Sequence, residues 1–119
     1  MTDKSAWEPP LFAWTQLGPI PVELTEKLEH DGERLAGVAL PYGRKIILDS
    51  GLEDQATRVI FAHEWVHMVL HDAGIILPPD QEEAVCTTVA TAMVASEDFH
   101  AAGGVPASDC AVPGLSSAP

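Results

Sequence analysis

A chain of 119 residues, 46% of them apolar, has room for one modest hydrophobic core and therefore for one domain. Eighteen acidic against six basic side chains leave a net charge of −12, and every Lys and Arg lies at or before Arg58, so most of the surface repels a phosphate backbone and no nucleic-acid partner is expected. No run of about 18 apolar residues is present to span a membrane. The opening Met1-Thr2-Asp3-Lys4 lacks the basic-then-apolar pattern of a secretory leader, and a cytoplasmic protein with no membrane partner is expected.

Residues 1–10 are polar, end on Pro9-Pro10 and read as extended. Trp7, Phe12 and Trp14 are expected to cover the edge of the core. Leu11–Trp14 and Ile20–Leu24 read as short strands around a turn at Gly18-Pro19. Glu26–Glu33 is polar, contains Gly32 and reads as a loop or a single helical turn, with His30 a solvated loop histidine. Leu35–Leu40 suggests another strand, Pro41-Tyr42-Gly43 a turn, and Arg44–Leu48, rich in β-branched residues, the clearest strand of the chain. As an edge strand it would be able to pair with an extended peptide.

Asp49-Ser50-Gly51 ends that strand, and a helix follows from about Glu53 to Asp72, with acids in its first turn and Gly74 as its stop. Ile75-Ile76-Leu77 reads as a short strand or packed loop before the rigid Pro78-Pro79. A second helix is expected from Asp80 to about Phe99, opened by an Asp80–Glu83 capping pair. Its core stripe is expected to be Val85, Val89, Ala92 and Met93, with Cys86 and Ala90 beside it. Neither Cys86 nor Cys110 has C-x-x-C spacing, which argues against a cysteine zinc site, and a cytoplasmic chain argues against a disulfide. The sequence thus predicts an α+β fold, a small sheet of short strands packed on two main helices over residues 1–101, followed by a flexible Ala/Gly/Ser/Pro tail over residues 102–119.

The chemistry concentrates in His63-Glu64-Trp65-Val66-His67, an H-E-x-x-H sequence within the first helix. Four residues of separation stack the two imidazoles on one helical face, within reach of a single metal ion. Glu64, about 100° around the helix, lies beside such an ion, where a base is needed. A surface helix with two solvated histidines is the rival reading. Val59, Ile60, Val66, Val69 and Leu70 speak against it, because they make the helix largely apolar, and histidines on a buried face need partners. His71 cannot share an ion with His63, about 12 Å away along the axis. It is expected either to support a ligand or to be a plain surface residue. The third ligand should come from the second helix. Glu82 is preferred because it lies within the apolar stripe, and Glu83, assigned to the cap, is the alternate; two merely solvated carboxylates remain possible as well. Tyr42 and His71 are the candidate donors to an oxyanion.

The order of strand, H-E-x-x-H helix and glutamate on the next helix resembles gluzincin metallopeptidases, and more closely the minimal metallopeptidase-like proteins of phages and prophages in the ImmA/IrrE-type neighbourhood. The resemblance rests on Gly18-Pro19-Ile20-Pro21-Val22, Tyr42-Gly43 through Ile47, His63 to His67, and Glu82-Glu83-Ala84-Val85-Cys86. It implies one Zn2+ on His63, His67 and a glutamate at 82 or 83, with Glu64 catalytic. Trp65 is bulkier than the aliphatic residue expected at its place and is expected to narrow the cleft. The function expected is hydrolysis of a peptide bond in a peptide or protein substrate by zinc-activated water, with Glu64 as general base. The alternative is a non-catalytic metal-containing scaffold that binds a regulatory protein.

Overall fold

The computed structural model describes residues 7–101, with side chains as far as Glu97. The expected extended start at residues 1–6 and the expected tail at 102–119, Cys110 included, lie outside the described residues. The chain forms strands β1 (Phe12–Thr15), β2 (Gly18–Thr25), β3 (Glu29–His30), β4 (Glu33–Arg34), β5 (Gly37–Leu40) and β6 (Lys45–Asp49). Helices α1 (Asp54–Asp72) and α2 (Pro79–Ala101) follow. This is a small α+β fold. Among the described residues no helix is long and apolar enough to cross a membrane.

The main sheet runs β1-β2-β6-β5, with β2 and β6 parallel and the outer pairs antiparallel. Two prolines inside β2 look out of place until the ladder is followed. Val22 donates its N–H to Leu11 on the β1 side. Alternation therefore turns the missing N–H groups of Pro19 and Pro21 the other way, where β6 pairs only from Val22 onward. Ile20, Ile46 and Leu48 are fully buried on the sheet face that meets Phe61 and Met68 of α1.

Three expectations change here. The stretch Glu26–Glu33 is neither loop nor helical turn but leads into the β3–β4 hairpin, whose Asp31 (φ 55°) and Gly32 (φ 80°) both adopt the left-handed conformation of a tight hairpin turn. The clearest strand, β6, is not an edge. It lies between β2 and β5, and its first expected residue, Arg44, sits in the turn at φ 50°. Phe12 and Trp14 do not cover the core. They are exposed, and only Trp7 packs inward, its ring 6.0 Å from that of Phe61.

Helix α1 presents two working faces. Thr57, Phe61, Glu64 and Met68 are buried toward the sheet. Ala62 packs with Ala90 and Val94 of α2, and His63 and His67 meet α2 as well. The helix ends as expected at Gly74 (φ 73°), with Gly74 donating to the carbonyl of His71 and Ile75 to that of Leu70, both at 3.0 Å. Helix α2 begins one residue before Asp80. Pro79 fills its first turn, where a proline loses no hydrogen bond, and Glu82 donates its N–H to Pro78. The expected Asp80–Glu83 cap is thereby displaced. The buried stripe of α2 is Cys86, Ala90 and Val94 with Met93 beside it, whereas Val85 and Val89 are exposed. Ile75-Ile76-Leu77 forms no strand.

Candidate metal centre

Where α1 and α2 face one another, two imidazoles and a carboxylate converge. The Nε2 atoms of His63 and His67 lie 3.1 Å apart. Glu83 bridges them, Oε1 at 3.0 Å from His63 Nε2 and Oε2 at 3.0 Å from His67 Nε2. Behind the rings, His67 Nδ1 donates to Glu82 Oε2 at 2.6 Å, and His63 Nδ1 faces the Thr87 hydroxyl at 3.4 Å. With protons on both Nδ1 atoms, both Nε2 atoms are acceptors. Two nitrogen lone pairs and two carboxylate oxygens then point into one space with no donor among them. A divalent cation would satisfy that arrangement, as would ring protons on Nε2 donated to Glu83. Bonds of about 2.0–2.1 Å in tetrahedral geometry set donors roughly 3.3 Å apart, close to the separations found here.

Of the two candidate glutamates, the alternate, Glu83, faces both Nε2 atoms, and the preferred one, Glu82, sits at Nδ1 of His67. The half-buried Glu82 is the more inward of the two, which carries its carboxylate past the ring to Nδ1. A carboxylate there fixes the tautomer that presents Nε2 and makes the imidazole a better donor. Thr87, which the sequence reading missed, stands in the corresponding place for His63. Its signal was its position one helical turn beyond Glu83.

Glu64 lies on the sheet face of α1, about 100° around the helix from His63, and packs against β5. Gly37 of β5 makes this possible: a Cβ there would come 2.5 Å from Ile60 Cγ2 and 3.4 Å from Glu64 Cγ. The Glu64 carboxyl is pushed up to about 7, first by burial and further by Glu83, against the opposing pull of His67 and the Ala39 amide. Glu64, His67, Glu82 and Glu83 line a cleft of about 350 Å³ whose other wall is β5, from Gly37 to Ala39.

His71 lines the same cleft one turn beyond His67. Tyr42 meets it edge-on with ring centroids 5.4 Å apart and is otherwise exposed at the rim. Trp65 does not narrow the cleft. Its ring packs on Phe61 at 5.5 Å, and its indole N–H donates to the Trp14 carbonyl at 2.8 Å, closing part of the β1 edge. No protein-family model, curated protein or solved structure matches this chain.

Proposed function

We propose that this chain is a small zinc-dependent metallopeptidase in which His63, His67 and Glu83 hold the ion and Glu64 is the general base. The observation that carries the reading is the convergence of two imidazole nitrogens and two carboxylate oxygens on one space, with a buried carboxylate beside it. Two imidazoles and one carboxylate favour zinc and leave a coordination position open. A divalent ion there supplies Lewis acidity to a carbonyl oxygen and to water.

The chain's own groups account for the rest. Glu64 takes a proton on its carboxylate as water oxygen bonds to the peptide carbon, and returns it to the leaving nitrogen as the C–N bond breaks. The substrate lies along β5, the edge strand that walls the cleft. Asp49 donates its N–H to the Ala36 carbonyl, so residues 36, 38 and 40 turn toward β6, and Gly37 and Ala39 turn their backbone groups outward. An extended peptide pairs with such an edge and passes in front of the histidines. His71 is the better placed of the two oxyanion candidates, since it lines the cleft, and Tyr42 reaches the site only through it.

Glu64→Gln tests this. The variant is expected to keep stoichiometric zinc and to lose hydrolysis of an unstructured peptide pool, read by mass spectrometry of new termini. Retention of both zinc and full hydrolysis would refute the assignment of the base. Zinc without hydrolysis in the parent protein itself would favour the scaffold reading.

A further inference from the structure

The ring of His67 faces two sets of donors. Nε2 looks to His63 and Glu83, while Nδ1 looks to Glu82, and Cys86 lies close to both His67 and Glu82. One helical turn separates Glu82 from Cys86 on α2, which sets both on the face turned to α1. Cys86 is fully buried, and its sulfur, the Glu82 carboxylate and a His67 nitrogen all lie within 4.8 Å of one another. Packing alone asks only for a small apolar side chain at residue 86, which cysteine is. It does not ask for a nitrogen, an oxygen and a sulfur donor together.

We propose that His67 Nδ1, Glu82 and Cys86 form a second metal site, selective for thiophilic divalent ions such as Cd2+. A thiolate selects soft ions, whereas the set on Nε2 contains only nitrogen and oxygen. Binding at the thiol set forms a sulfur–metal bond and sends the thiol proton to solvent. The ring proton leaves Nδ1 and is taken up at Nε2, which then donates to Glu83, 3.0 Å away. No electron is transferred. A neutral imidazole has one lone-pair nitrogen, so the two sets exclude each other: the protein holds zinc on one side of His67 or a soft ion on the other. Only this exclusion rests on the zinc site proposed above; the thiol site stands on its own three donors.

The test uses the full chain with Cys110→Ala, so that Cys86 is the one thiol. After removal of metal, Cd2+ is titrated and the ultraviolet thiolate-to-metal charge-transfer band recorded. One saturable equivalent is expected. The band should persist with His63→Ala, which removes only the zinc set, and Cys86→Ala should abolish the band while leaving one zinc bound. Bound Cd2+ should prevent zinc uptake. Absence of the band in the Cys110→Ala protein, or its loss with His63→Ala, overturns the site; simultaneous binding of one Cd2+ and one zinc overturns the exclusion. Failure of Cys86→Ala to take zinc while still folded by circular dichroism would instead count against the zinc set. Should Cys86→Ala not fold, the His63→Ala comparison still decides.

Discussion

At the scale of single residues, the difference between Glu82 and Glu83 is the most informative feature of the site. Adjacent on α2, they reach opposite nitrogens of one ring. His63→Ala and Glu83→Gln are therefore expected to abolish stoichiometric zinc, whereas Glu82→Gln lowers affinity about 10–100-fold through the tautomer and orientation of His67. Metal analysis of the purified variants checks this, and a greater loss with Glu82→Gln than with Glu83→Gln would reverse the assignment. His63, Glu64 and His67 were legible in sequence because one helix fixes their spacing. The choice between the glutamates was not, because it depends on how two helices are rotated against each other. The Asp80–Glu83 spacing also suggests a capping role for Glu83 that Pro79, by starting the helix earlier, removes. Thr87 was invisible for the same reason as Glu82's true place: each is defined by a ring on the other helix.

At the scale of elements, α1 and the β5–β6 hairpin form the cleft, and Gly37 sets their distance. The atom that a Cβ would strike is Ile60 Cγ2, at 2.5 Å. Gly37→Ala is thus expected to cost about 1–3 kcal/mol by overpacking, measured from urea unfolding midpoints. In the Gly37→Ala background, Ile60→Ala should cost less than it does alone, because it clears the clashing atom. Equal costs in both backgrounds would mean that the strand and helix adjust without strain. The strands of the sheet were largely readable from their β-branched runs and turns, but their spatial order was not. Arg44–Leu48 has the strongest strand pattern because β6 is paired on both sides, and that same fact removes it from the edge. The β3–β4 hairpin carried its signal in Asp31-Gly32, a pair whose left-handed turn the polar composition around it concealed.

For the whole molecule, acidity and two opposed sets of carboxyl groups determine how stability responds to pH. The buried Glu64 carboxyl binds its proton more tightly in the folded state, raised from 4.5 to about 7. Its contribution is complete below pH 4.5 and is lost as pH rises from there through 7, on the order of 3 kcal/mol. Asp49 and Asp72 act in the opposite sense. The Gly51 amide leads in holding Asp49 below its ordinary 3.8, with Arg34 and Leu28 adding to it against burial. Burial would raise Asp72, but hydrogen bonds from Arg44 and Thr15 outweigh it and hold that group low as well. Arg44 reaches the Asp72 oxygens at 2.9 and 3.1 Å, tying the β5–β6 turn to the end of α1. Stability from these two groups is present above pH 3.8 and is lost as pH falls further. Neutralising exposed carboxylates on a chain of net charge −12 also relieves repulsion as pH falls from 7. Metal-free protein is therefore expected to be most stable at about pH 4–5, with the urea midpoint falling on both sides. Glu64→Gln should flatten the limb above pH 5 and Asp72→Asn the acid limb. Zinc should restore stability near neutrality by binding the folded state alone. A maximum at neutral pH in chelator-treated protein, unchanged by Glu64→Gln, would show that Glu64 is not held in the buried position against β5 on which the whole arrangement turns.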